Sequence, residues 1–220
     1  MLRGIGCRTY NPGADLNKLL NKIVTHKLHP WVNFLVHNHD WSKETAEILR
    51  KAAGNVKIIA SYRDPRDICV SLKKLHDLPI EKAIELTRAS TRMHFALVNS
   101  MSPLRLQYEK IREEPRQLVQ TIADYLELSV SDEATTAIVT KTSVKTHTKI
   151  MEKVAAGDES LDIISFKNTN RVFYEDKTTH ISDRHIQSGK SGRWLTELSE
   201  PDQEKVNDVL LEYALKLGYQ

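Results

Sequence analysis

Two cysteines, Cys7 and Cys69, stand in 220 residues, too few for a disulfide framework, and neither has a CxxC neighbour or a metal-type partner. No metal cofactor is therefore expected. Aromatic residues make up only 6% of the chain, and no five-residue basic run is interleaved with them. That composition excludes the stacking platforms of single-strand nucleic-acid binders, and no nucleic-acid partner is expected. The formal net charge of +3 suits an anionic ligand without implying bulk binding to a polyanion. No apolar run approaches the ~18 residues of a membrane span. With no signal-peptide pattern either, a soluble, cytoplasmic protein without a membrane partner is expected. Repeats and low-complexity tracts are also lacking. At 40% hydrophobic content, one domain over residues 1–220 with a sizeable core is expected.

What the chain does have is the run Ile58 to Ser71, IIASYRDPRDICVS. A β-branched, apolar segment ends at Tyr62 and delivers Arg63 to a turn containing Pro65. Ser71 follows eight residues after Arg63, where a helix would carry it back toward the same point two turns on. A guanidinium binds phosphate through a planar fork, so this layout suits a phosphate clamp as well as an ordinary strand-turn-helix with a basic turn. Ile68, Cys69 and Val70 read as a buried helix face, which makes Cys69 inert packing.

Other segments fall in order around it. PWVNFLVHNHDW reads as a strand from about Val32 to Val36 ending in His37-Asn38-His39, with a helix from Lys43 to Ala53 before the next strand. The interval of 24 residues from His39 to Arg63 suits a right-handed βαβ unit, which puts both at carboxyl ends of parallel strands. Leu104 to Tyr108 reads as a third strand. It is followed by Glu109, Pro115 and a helix with Leu118, Val119, Ile122, Tyr125 and Leu126 on one face. LHDLPIEKAIELTRASTRMHFALVNS reads as a long amphipathic helix with Ile80, Ala83, Ile84, Leu86 and Thr87 inward, and His76 and His94 as packing or surface residues. Thr142 and Ser143 precede a further helix and are able to cap it. HISDRHIQSGKSGRW contains a basic, glycine-containing loop with Arg184, Lys190 and Arg193. After it Val206, Val209, Leu210, Tyr213, Ala214 and Leu217 form a helical stripe closed by Gly218.

The pattern Arg63-x-Pro65-x-Asp67-x-x-x-Ser71 resembles the 3′-phosphate-binding segment of sulfotransferases that use 3′-phosphoadenosine 5′-phosphosulfate as co-substrate. The other segments agree with this family in order from about residue 32 to 220. The resemblance implies that Arg63 and Ser71 hold the 3′-phosphate and that His39 is the catalytic base. His37 stands where the family has a lysine. In the Tyr-Glu-x-aliphatic-x-x-x-Pro block, Tyr108 falls on the adenine contact, its alternative being a core tyrosine. Thr142 falls on the family's Thr-Ser-Phe, with Val144 at the aromatic position. Gly189, Gly192 and Trp194 align with the family's closing loop, leaving Gln187 and Ser188 at its basic pair; Gly189 and Lys190 are thereby implied in cofactor binding.

The fold implied is three-layer α/β, a P-loop-NTPase-like parallel sheet flanked by helices, with a helical carboxyl-terminal half. The activity implied is transfer of a sulfuryl group to a hydroxyl or amine of a small-molecule or glycan acceptor. The family's amino-terminal phosphosulfate loop is not recognisable. Gly4, Gly6, Arg8 and Thr9 as a degenerate loop, a start further upstream and loss of the loop all stay open. A catalytically impaired relative that binds a 3′-phosphorylated adenine nucleotide as sensor or partner subunit is the alternative. A P-loop kinase relative is disfavoured, since no loop placed to hold magnesium is recognisable.

Overall fold

The computed structural model describes residues 8–10, 34–36, 43–51, 56–158, 163–168, 171–176 and 190–220. Packing divides the chain into two units, Met1–Ser129 with Ser191–Gln220, and Val130–Lys190.

In the first unit two short strands, Arg8–Tyr10 (β1) and Phe34–Val36 (β2), pair in parallel with Arg8 opposite Phe34. Helix Lys43–Lys51 (α1) follows. Strand Ile59–Tyr62 (β3) leads into helices Pro65–His76 (α2) and Ile80–Met101 (α3), after which Leu104–Gln107 (β4) returns parallel to β3, Ile59 opposite Leu104 and Tyr62 opposite Gln107. A parallel pair requires such a crossover, and here two helices supply it. Tyr108–Glu113 (α4) and Pro115–Tyr125 (α5) continue the chain. Among the described residues β1–β2 and β3–β4 are separate two-stranded ladders, so the three expected strands do not form one ladder. Two of those strands are also shorter than expected: β3 starts at Ile59 rather than Val56, and Tyr108 opens α4 rather than ending β4.

Local chemistry sets these boundaries. Pro65 disfavours helix at the residue before it, and Asp64 accordingly sits at φ −50°, ψ 117° while its carboxylate accepts the Arg66 N–H at 2.9 Å, capping α2. α2 ends where Asp77 takes a left-handed conformation at φ 52°. On α3 the buried stripe is Ile80, Ala83, Ile84, Thr87 and Thr91, at the three- and four-residue spacing of one helix face. Thr87 and Thr91 enter it because their hydroxyls donate to the carbonyls of Ala83 and Thr87, each at 2.8 Å. Leu86, expected inward, falls two positions after Ile84, off the stripe, and is 39% exposed. On α5, Val119, Ile122 and Ala123 turn inward, and the Tyr125 hydroxyl accepts the Ile58 N–H and donates to the Ile58 carbonyl, both at 2.9 Å.

The chain re-enters the first unit with Trp194–Glu197 (α8) and Glu200–Leu217 (α9), the second numbered after the elements α6, α7, β5 and β6 given below. Ser199 caps α9, and Gly218 ends it at φ 90°, a conformation that glycine adopts without a Cβ penalty. Val206 and Leu210 of α9 pack with Cys69 and Val70 of α2, Ile80, Ala83 and Ile84 of α3, and Leu198. Each fully buried aliphatic side chain there contributes roughly 1.5–3 kcal/mol.

The second unit holds helices Asp132–Lys141 (α6) and Val144–Ala155 (α7), capped by Ser131 and Ser143, and an antiparallel pair, Ile163–Asn168 (β5) and Arg171–Asp176 (β6). That pair corrects the expectation of a helical carboxyl-terminal half. Its sequence, IISFKN and RVFYED, is rich in β-branched and aromatic residues on either side of a short polar connection, which is a hairpin signal. Among the described residues no helix is long and apolar enough to cross a membrane.

Candidate functional site

Arg63 stands just past the end of β3, and Asp67 and Ser71 follow at one-turn intervals on α2. Asp67 is fully buried. Its Oδ2 accepts from Arg63 Nη2 at 3.0 Å and from the Gly192 N–H at 2.9 Å, while its Oδ1 accepts from the Trp194 N–H at 3.1 Å. One carboxylate thus ties the Arg63 turn to the glycine-containing loop ahead of α8. The Arg63 guanidinium lies over the Tyr108 ring, 4.5 Å from its centroid, which brings the start of α4 to the same place.

Ser71 is reached by a second guanidinium. Arg193 is 4% exposed and donates from Nη1 to Ser71 Oγ at 3.2 Å. Its Nε and Nη2 form a fork on Glu197, at 2.7 and 2.9 Å. That hydrogen-bonded pair drives the Glu197 carboxyl down to about 2, with Lys74 assisting, and raises the Arg193 guanidinium above its ordinary value. The charge of Asp67 also acts on Arg193, and Arg63, which lies over the Tyr108 ring, is bound to the same buried carboxylate.

The remaining contacts hold this arrangement in place. Arg66 chelates Asp64, lies 4.4 Å over the Trp194 ring, and donates to Asn207 Oδ1 at 3.3 Å and to the Gln220 main-chain oxygen at 2.6 Å. Glu109, next to Tyr108, accepts from the Tyr219 hydroxyl at 2.6 Å and from Ser191 Oγ at 3.5 Å. Burial, and then Glu109, push the Tyr219 phenol far above its ordinary value. His94 is half-buried, 5.6 Å from the Tyr62 ring and 6.0 Å from Phe95, and its Nε2 has no partner among the described residues. Burial, followed by the positive charge of Arg105, lowers its pKa, so the ring is neutral at physiological pH. His76 is exposed on the last turn of α2.

Of the residues named from sequence, Arg63, Ser71 and Tyr108 therefore occur in one connected network. His39 and Gly189 lie outside the described residues, as does His37. Thr142 and Lys190 belong to the second unit. There the Thr142 hydroxyl donates to the Ile138 carbonyl at 2.8 Å, Ser143 caps α7, and Lys190 is exposed. Arg8 and Thr9 form part of β1, which corrects their reading as members of a phosphate loop: three consecutive residues there pair with β2 in an extended ladder. Asp67 was legible only as a letter of the motif, and Arg193 only as loop charge. The one signal for Asp67 is a carboxylate one turn from both Arg63 and Ser71; for Tyr219 there is none. Among the described residues no group of three or more His, Cys, Asp or Glu side chains is arranged to hold a metal ion.

The sulfotransferase domain model matches residues 96–217, more than half of the chain. No curated protein matches the sequence. Among solved structures, mouse sulfotransferase SULT7A1 complexed with PAP aligns over 88% of this chain and 69% of its own, at 14% identity and a TM-score of 0.58. Retinol dehydratase in a complex with retinol and PAP aligns over 83% of this chain and 53% of its own, at 16% identity and a TM-score of 0.51. The same enzyme with androsterone and inactive cofactor PAP gives 14% identity and a TM-score of 0.50. This chain spans about half the length of retinol dehydratase, and at these identities the likeness is one of fold. With a family model that runs from the last turns of α3 through α9 and a fold shared with sulfotransferases, the chain belongs to the sulfotransferase family.

Proposed function

We propose that the protein, working as one sulfotransferase domain over residues 1–220, transfers a sulfuryl group from 3′-phosphoadenosine 5′-phosphosulfate to a hydroxyl or amine of a small-molecule or glycan acceptor. The observation that carries this reading is the meeting of Arg63, Ser71 and Tyr108 around Asp67 and Arg193. The donor set fits the ligand: a guanidinium fork and a hydroxyl suit a phosphate, and a phenol ring suits an adenine face. The PAP bound in SULT7A1 and retinol dehydratase supports the choice of nucleotide, and the retinol and androsterone of the latter support a small acceptor.

In this reading Arg63 and Ser71 bind the 3′-phosphate, and Tyr108 lies along the adenine. Thr142, Gly189 and Lys190 are assigned to cofactor binding on the family motifs that they match. His39 accepts the acceptor's proton as the nucleophile attacks sulfur, since a neutral imidazole with a pKa near ~6.5 is a competent base at physiological pH. Charge that develops on the bridging oxygen requires a cation or oriented donors, with His37 and Arg8 as the candidates.

Calorimetric titration of adenosine 3′,5′-bisphosphate beside AMP tests the nucleotide assignment. The wild type is expected to prefer the bisphosphate and Arg63→Ala to lose that preference; equal affinities in the wild type, or an unchanged preference in the variant, remove it. For the chemistry, His39→Ala is expected to abolish sulfated product, and a variant turning over at the parent rate places the base elsewhere. Bisphosphate binding by a wild type that sulfates no acceptor selects the sensor reading instead.

A further inference from the structure

A ribose 3′-phosphate is a dianion near neutral pH, and Arg63 alone does not match it, because Asp67 Oδ2 already offsets the Arg63 charge at 3.0 Å. The excess positive charge of the cluster comes from the other side. Among the described residues, Arg63, Arg193 and Lys74 pair with Asp67 and Glu197, three cations against two carboxylates, and without Arg193 that count is two against two. Arg193 is also the group in contact with Ser71, through Nη1 to Oγ at 3.2 Å. A guanidinium has only donors, so Ser71 Oγ is the acceptor in that bond, and its own O–H must point elsewhere. Among the described residues no acceptor takes that hydrogen. Polarised by a cation on its lone pair, the hydroxyl becomes a stronger donor.

Resting on the 3′-phosphate reading above, we propose that Arg193 is a positioning residue of the phosphate subsite, one that fixes the Ser71 hydroxyl as a donor toward the 3′-phosphate and supplies the site's net positive charge. The Glu197 fork and the Trp194 main-chain bond to Asp67 hold Arg193 for this task by fixing its side chain at one end and the adjoining backbone at the other. The role belongs to a residue directly before Trp194, six positions beyond the neutral Gln187.

The test is the ratio of affinities for adenosine 3′,5′-bisphosphate and AMP, a quantity that a purely structural role leaves unmoved because both ligands share everything but the 3′-phosphate. Arg193→Gln is expected to lower this ratio about tenfold with AMP affinity held, the size of one charge-assisted contact. In a Ser71→Ala background the same substitution is expected to lower it distinctly less, since the two residues act through one bond. A folded Arg193→Gln protein with the wild-type ratio overturns the inference while leaving the Arg63 assignment intact. A wild type with no preference for the bisphosphate overturns both. If Arg193→Gln does not fold, Glu197→Gln decides: it keeps the guanidinium and removes its counter-charge, so a raised ratio supports the role and an unchanged or lowered one rejects it.

Discussion

Glu197 and Arg193 show how far a single pair sets the chemistry of the site. The Glu197 carboxyl is held at about 2 by its hydrogen bonds to Arg193 and Lys74, against an ordinary value of ~4.3. A depressed carboxyl stabilises the fold fully above its unfolded value, and that stabilisation is lost as the pH falls from there through the folded value. Urea denaturation across pH 7 to 2 is therefore expected to show wild type and Glu197→Gln separated at neutral pH and converging between about pH 4 and 2. Parallel curves over that window contradict the pairing. At this scale Arg63 and Ser71 were legible because their spacing is local. The partners of Asp67 were not: Gly192 and Trp194 lie more than a hundred residues away, and a hydrogen bond to a backbone N–H leaves no trace in side-chain identity.

Among the elements, α9 packs on both α2 and α3 and closes their shared core. Its stripe of Val206, Leu210, Ala214 and Leu217 is buried, and Leu210 meets the α2 and α3 core with no exposed surface. Leu210→Ala is expected to cost about 2–5 kcal/mol in denaturant titration, the range for emptying a packed leucine site. A loss below ~1 kcal/mol would mean that the core closes over the gap. The helix and its terminal Gly218 were legible because a 3.6-residue stripe followed by glycine is a strong local pattern. β5 and β6 were not legible although their composition favours strands, because six-residue segments without strict apolar–polar alternation carry little period-2 signal. Leu86 shows the opposite failure, in which apolar character was followed and angular position ignored.

For the molecule as a whole, the division into two units has a chain-order consequence. Residues 191–220 complete the first unit after the chain has passed through the second. They cover Cys69, which is fully buried and whose thiol burial pushes up to about 11. A chain ended at Lys190 is expected to lose its cooperative thermal transition and to react at Cys69 with a thiol reagent in native buffer, whereas the whole chain reacts there only on unfolding. A truncated protein that melts cooperatively with Cys69 protected shows that α2 and α3 close without α9. The order of the motif blocks was legible at this scale and fixed the family. The division was not, because no shift in composition marks Ser129 or Ser191, and docking of a distant helix depends on three-dimensional fit.

The Tyr125 hydroxyl spans both main-chain groups of Ile58 just before β3, and the Ile58 carbonyl also accepts the N–H of Leu104, the first residue of β4, at 2.9 Å. It does there what a neighbouring peptide group does within the ladder, with one phenol as donor and acceptor at once. Deuterium uptake at the Ile58 amide should consequently be as slow as within β3, because the entry to that strand is held from α5 on its N–H as well as from β4 on its carbonyl.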